Sequence, residues 1–329
     1  MRGKTADMLT DQHNRPINYL RLAVTDRCNL RCTYCMPEKM QFLDRAALLT
    51  YEEIARIVQV LAAEGVHRIR ITGGEPFLRK DLLSLLEVLS GYCETAITTN
   101  GVLTAPFVPA LRKLGIRKVN LSLDTLHAER FRQIARRDQF AAVRHTLHTL
   151  LEHDMEVKIN MVVMNNVNTD ELAAFTALTE QYPVSVRFIE EMPFNGQGNG
   201  FSGIEWNYRR ILDHIGETFP LHKLTDAPGS TSLNYSIAGH KGNIGVIPAF
   251  SRTFCGTCNR LRITPTGGLK TCLYGHDALN VRDLIREGIS NDVLTDEIRA
   301  AIAGKHADGF QAERANARNI MESMSAIGG

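Results

Sequence analysis

The sequence predicts an α/β protein: an incomplete (βα)6 barrel of the TIM type, followed by a C-terminal extension. Three observations point there. Six short β-rich runs alternate with amphipathic helical stretches, as parallel sheets require. Within each run apolar and polar residues alternate, so each strand has two unlike faces. After Glu191 the alternation stops and the chain turns Gly-rich (Met192–Gly203). The boundaries that follow are 1–240 for the barrel and 241–329 for the extension.

The runs are Leu20–Thr25, Arg68–Thr72, Thr95–Thr99, Lys118–Asp124, Glu156–Val163 and Val184–Glu190. Between the first two, Thr50 and Glu53 form a capping-box pattern, Ile54, Ile57, Val58 and Leu61 make one stripe, and Gly65 can close the helix. Asn168 and Glu171 repeat the capping pattern before Leu172, Phe175 and Leu178. A helix follows around Trp206–Phe219, then a turn-rich connection over Thr225–Asn234, a mostly irregular segment, and a last helical stretch near Ile289–Lys305.

The strand faces carry a second message. One face holds Leu20/Leu22, Ile69/Ile71, Val119/Leu121, Val157/Ile159/Met161 and Val186/Phe188; the other holds Arg21, Arg68/Arg70, Asn120/Ser122/Asp124, Lys158/Asn160 and Ser185/Arg187. Helices must cover the apolar face, which leaves the polar face inside. Burying so many cations and amides dry would be costly. The expectation is an open lumen that suits a polar, anionic guest.

The 329 residues include 38 basic and 36 acidic side chains, a net charge of +2. Such a balance argues against a general nucleic-acid coat while allowing a local basic pocket. No apolar run approaches the roughly 20 residues of a spanning helix, and the first residues lack an apolar signal-peptide core. A cytoplasmic protein is expected, with no membrane and no nucleic-acid partner.

Seven cysteines fall into two trios and a singlet: Cys28, Cys32 and Cys35 as C-x3-C-x2-C; Cys255, Cys258 and Cys272 as C-x2-C-x13-C; and Cys93 alone, read as a small core residue. Three close thiolates suit a four-iron cubane whose fourth iron stays open for a small molecule. The alternatives are zinc with a distant fourth ligand or, for the second trio, with His276. Arg260 and Arg262 follow the second trio as R-x-R, one face of a strand, with Leu261 able to offer only backbone.

The first trio, with Tyr34 before its last cysteine, resembles the signature of the radical S-adenosylmethionine (SAM) superfamily, and "TGGEP" (Thr72–Pro76) is similar to the motif that ends its second strand. With the second trio, the match narrows to the GTP 3′,8-cyclase family of molybdenum cofactor biosynthesis. It is carried by "RLAVTDRCNLRCTYCMP", "RIRITGGEP", "TTNG", "VNLSLD", "VRFIEEM", "FCGTCNRLRIT" and the closing Gly328-Gly329. The resemblance implies two 4Fe-4S clusters, one per trio, each with an open iron. It implies SAM contacts from Tyr34, Gly74, Ser122 and Met192, with the glycines letting backbone approach SAM. It implies GTP contacts from Arg21, Arg70, Thr98, Lys158, Arg260, Leu261 and Arg262; Arg187 shares their face. The implied reaction joins C3′ of the ribose to C8 of guanine after loss of H3′, with no protein general base. The implied partners are GTP, an external one-electron donor, a second copy in a homodimer, and cyclic pyranopterin monophosphate synthase as the next enzyme. The final glycines are expected to thread toward the site. The competing readings are a radical SAM enzyme acting on a peptide and a non-catalytic zinc or iron–sulfur module.

Overall fold

A computed structural model describes residues 8–195, 204–316 and 322–328. The six runs form strands close to where the alternation puts them: β1 (Tyr19–Ala23), β2 (Arg68–Thr72), β3 (Glu94–Thr99), β4 (Lys118–Ser122), β5 (Glu156–Val163) and β6 (Ser185–Glu190). They pair in chain order and in parallel. Leu20, Leu22, Ile69, Ile71, Val119, Leu121, Val157, Ile159, Met161, Val186 and Phe188 are at most 3% exposed. Each such side chain contributes about 2 kcal/mol of burial, so this face fixes the register of the sheet.

The sheet does not close. It continues through β7 (Leu221–Lys223), β8 (Leu233–Ile237), β9 (Asn243–Ile247), β10 (Arg260–Ile263), β11 (Gly268–Lys270) and β12 (Leu279–Asn280). The order is β12-β11-β10-β1-β2-β3-β4-β5-β6-β9-β8-β7. The C-terminal segment is therefore not mostly irregular: β10 lies parallel beside β1 and β9 parallel beside β6. β7, β11 and β12 are only two or three residues long, too short to show a period in sequence. The tight β10–β11 turn depends on Gly267 at φ +88°, where a Cβ would meet Arg282 Cβ at 2.5 Å.

The first capping box forms: Thr50 Oγ1 accepts from Glu53 N at 3.2 Å and Glu53 Oε2 from Thr50 N at 2.7 Å. The helix runs Tyr51–Ala63 and Gly65 follows at φ +96°. The second box does not form. Asn168 instead donates to the carbonyls of Asp124 and Val162, and Glu171 accepts from Thr125 Oγ1 and Leu126 N and pairs with Arg130. Both residues are buried. They tie the ends of β4 and β5 together, a tertiary use that outweighs a local cap worth about 1 kcal/mol. Among the described residues no helix is long and apolar enough to cross a membrane.

Candidate active site

The polar face of the sheet lines one cavity of about 630 Å³. Arg21, Arg70, Thr98, Ser122, Lys158, Asn160 and Arg187 reach it from β1 to β6, and Arg260 and Arg262 from β10. All six cysteines of the two trios line the same cavity. Among the described residues all seven cysteines are free thiols. Cys93 is buried away from the cavity, with its thiol donating to the Val66 carbonyl.

The loop that carries the first trio is anchored independently of its thiols. Arg31 N and Thr33 N donate to the carbonyls of Ala135 and Ile134 at 2.9 and 3.0 Å. Tyr34 Oη donates to Asp124 Oδ2 at 2.8 Å. The start of the loop packs on the turn after β2: Gly74 N donates to the Thr25 carbonyl at 2.7 Å and Glu75 N to the Arg27 carbonyl at 2.8 Å. A Cβ on Gly73 would meet Thr25 O at 2.4 Å, and one on Gly74 would meet Arg27 O at 2.2 Å. The first demand for these glycines is thus the backbone of the cysteine loop itself, a constraint the sequence reading assigned to SAM alone. Glu75 is fully buried and joins this turn to the next one, accepting from Thr99 Oγ1, Phe77 N and Asn100 N. Burial lifts its carboxyl to about 7, and burial lifts Asp124 to about 6.

The donor set fits an iron–sulfur cluster. Burial, and then repulsion from Cys28, pushes the Cys35 thiol up to about 12, so a ligand cation has to supply the charge that holds it as thiolate. Leu30 N and Asn100 Nδ2 aim at Cys28 Sγ from 3.4 and 3.5 Å, the amide contacts that stabilise cluster sulfurs. In the second trio burial raises the Cys258 thiol, but Arg260 and Lys305 outweigh it and bring it to about 6. Among the described residues no three His, Cys, Asp or Glu side chains gather as around one ion; a cubane instead takes one thiolate on each of three irons. His276 is exposed and does not line the cavity, so it does not complete the second trio as a zinc ligand.

The cations crowd one another. Burial, then Arg70 and Arg260, pull Arg21 down to about 10. Burial and Arg70 do the same to Arg187, to about 10. Burial, then Arg187, Arg70 and Lys118, bring Lys158 to about 8. Arg262 is held well below its ordinary value by burial, Arg21 and Arg260. Arg21 Nε, Thr98 Oγ1 and Asn160 Oδ1 are buried without a hydrogen-bond partner. Orphan polar atoms in a cationic cavity call for an anionic, polar guest.

Residues 322–328 pack against this space, and Met324 lines it. Ser323 Oγ donates to the Cys35 carbonyl at 2.7 Å, Lys270 Nζ pairs with Glu322 at 2.9 Å, and Arg262 Nη1 donates to the Gly328 carbonyl at 2.7 Å. Gly328 has φ +84°, and a Cβ there would meet Ala23 Cβ at 2.8 Å. Its partner Gly329 lies outside the described residues.

Of the residues singled out in sequence, Tyr34, Gly74, Ser122 and Met192 line the cavity, as do Arg21, Arg70, Thr98, Lys158, Arg187, Arg260 and Arg262. Leu261 does not: it alternates to the other face of β10, is 0% exposed and packs in the core. Sequence reading assigned no role to Arg68, Lys118, Asn100 or Arg252, which also line the cavity. The β-alternation already pointed Arg68 inward; Arg252 carries no sequence signal.

Fold and site together define a radical SAM protein with a second thiol site. Residues 22–178 match the family model described as Radical SAM superfamily, and residues 184–310 that described as Molybdenum Cofactor Synthesis C. The crystal structure of Streptococcus suis SuiB bound to S-adenosylmethionine shares the fold, with a TM-score of 0.62 at 16% identity over 89% of this chain and 69% of that one. The GTP 3′,8-cyclase of Heliobacterium modesticaldum is 39% identical over 90% of this chain and 93% of its own length. The mitochondrial GTP 3′,8-cyclase of Arabidopsis thaliana is 38% identical over 92% of this chain and 79% of its own length. Molybdenum cofactor biosynthesis protein 1 of Bos taurus is 44% identical over 90% of this chain, which spans only 48% of that protein. The chain belongs to the GTP 3′,8-cyclase family.

Proposed function

We propose that this protein is a radical SAM GTP 3′,8-cyclase, a lyase that converts GTP to (8S)-3′,8-cyclo-7,8-dihydro-GTP in the first step of molybdenum cofactor biosynthesis. Beyond the family, one observation carries the reading: two free thiol trios and a crowd of buried cations face a single cavity. The strands β1 to β6 then act as an incomplete barrel around it. Cys28, Cys32 and Cys35 hold one 4Fe-4S cluster, and Cys255, Cys258 and Cys272 the other. When bound, the first cluster and SAM supply the radical that removes H3′ from GTP.

The chain's own residues bind, orient and exclude water. Arg70, Lys158 and Arg187, within each other's field, take the triphosphate, whose charge relieves their repulsion. Thr98 Oγ1 and Arg21 Nε gain the partners they lack. Arg260 and Arg262, next to Cys258, hold the nucleoside at the second trio. Tyr34, Gly74, Ser122 and Met192 line the SAM side. The tail fills the remaining opening. An external one-electron donor, a homodimer, a cytoplasmic setting and cyclic pyranopterin monophosphate synthase as the next enzyme belong to the same proposal.

Equilibrium binding to the anaerobically reconstituted protein tests it. GTP is expected to bind tightly, and Arg260→Ala to weaken it by at least about 10-fold, roughly 1.4 kcal/mol. A protein that binds no GTP but binds a peptide would refute the cyclase reading. The pH dependence has a definite sign. Lys158 is charged below about 8 and neutral above it, while the phosphates stay ionised throughout. GTP affinity should therefore fall between pH 7 and 9, and protons should be taken up on binding near pH 8. Calorimetry in buffers of different ionisation enthalpy measures that uptake, and Lys158→Met should abolish it.

A further inference from the structure

Lys305 has no part in the reaction proposed above, yet it is among the largest fully buried side chains, at 2% exposure. It follows the helix Asn291–Ala303. An ammonium group taken out of water costs several kcal/mol unless its donors and its charge are met. Its three N–H bonds are all used. They reach the carbonyl of Arg260 at 2.9 Å, the carbonyl of Thr271, and the sulfur of Cys258 at 3.6 Å. None of these is a carboxylate. The Cys258 sulfur, anionic when it ligates iron, is the partner of opposite charge.

The same spot joins all three ligands, which come from two segments of the chain. Lys305 touches Cys258 itself and Thr271, the neighbour of Cys272. The next two residues, His306 and Ala307, give their carbonyls to Arg15, each at 2.6 Å, and Arg15 also donates to the Cys255 carbonyl at 2.9 Å. Arg15 is buried and paired with buried Asp11 at 2.6 Å. Gln12 Nε2 donates to the Lys305 carbonyl at 3.0 Å. The turn near the start of the chain thus clamps residues 305–307 against the second trio, which holds the ammonium where it is.

We propose that Lys305 is a fixed, buried counter-charge of the second cluster, beside Arg260, whose Nη2 reaches the same sulfur at 3.7 Å from the cavity side: it donates to the Cys258 thiolate and raises that cluster's reduction potential. The proposal rests on the reading that the second trio holds a 4Fe-4S cluster. The physical reason is that reduction adds negative charge to the cluster. A positive group and an N–H···S bond at a ligand sulfur stabilise the reduced form more than the oxidised one. Lys305 is a positioning and tuning residue, not a catalytic one.

The test is a potentiometric titration of the holoenzyme followed by electron paramagnetic resonance. The second cluster is the one whose signal SAM leaves unperturbed. In Lys305→Met and Lys305→Gln its midpoint should move to more negative potential, further for Met, while the first cluster keeps its own. An unmoved midpoint in variants with wild-type iron content overturns the proposal. Should the variants lose the second cluster, wild-type protein labelled with ¹⁵N-lysine decides. A ¹⁵N hyperfine coupling on the second-cluster signal is expected, and its absence overturns the assignment. Iron analysis separates this from the underlying reading. Wild type with about four irons per chain instead of about eight would refute the second cluster itself.

Discussion

Replacing Cys28, Cys32 and Cys35 together by alanine should remove about half of the roughly eight irons and reduce 5′-deoxyadenosine formation from SAM to background. The reason is local. These thiols are the chain's sulfur donors at the mouth where Tyr34, Gly74 and Ser122 meet. Without them, no described residue at this end of the cavity offers a thiolate to an iron that is open to SAM. The fold should survive, because the loop is held by Arg31 N, Thr33 N and Tyr34 Oη rather than by its sulfurs. The second trio lies on two other segments, around Cys255–Cys258 and after β11, braced by Arg15 and Lys305, so its irons and GTP binding should persist. Iron analysis, chromatography of the SAM products and GTP binding on one preparation check all three statements. Retained SAM cleavage would place the radical chemistry elsewhere.

Deleting Gly328 and Gly329 should cut product formation by about 100-fold or more, equivalent to roughly 2.7 kcal/mol, while leaving the melting transition nearly unchanged. Among the described residues the Gly328 carbonyl accepts one hydrogen bond, from Arg262, and a single bond contributes only about 1 kcal/mol to stability. Its consequence for the site is larger. Arg262 is buried among Arg21 and Arg260, and the tail carbonyl fixes where its guanidinium points. The tail also occupies the space beside Ala23 and Thr72 at the strand ends, where water would otherwise enter. SAM cleavage should continue without GTP cyclisation. Gly328→Ala should reproduce much of the defect, since the new Cβ would meet Ala23 at 2.8 Å on a backbone of φ +84°. Full activity in the deletion would show that the tail is inert.

The parts of this architecture legible in the sequence are those governed by short-range periodicity. Alternation gave β1 to β6, the buried face from Leu20 to Phe188 and the cationic face from Arg21 to Arg187. Cysteine spacing gave both trios. What stayed hidden depends on partners far away in the chain. The strands of the C-terminal segment are two to five residues long and acquire their identity from the edges of β1 and β6. Asn168 and Glu171 look like a helix cap until the ends of β4 and β5 offer them better partners. Gly73 and Gly74 look like a ligand cradle until the Thr25–Arg27 backbone is placed against them. Lys305 closes the last helical stretch in sequence without any mark of a site, and only the fold brings it under Cys258.

The most direct test of two thiol trios serving one GTP cavity is to follow deuterium from [3′-²H]GTP. Reconstituted enzyme would be incubated with SAM and a reductant, and both products examined by mass spectrometry. One deuterium should appear in 5′-deoxyadenosine for each molecule of cyclised GTP formed. Unlabelled 5′-deoxyadenosine accumulating beside intact, fully labelled GTP would contradict it.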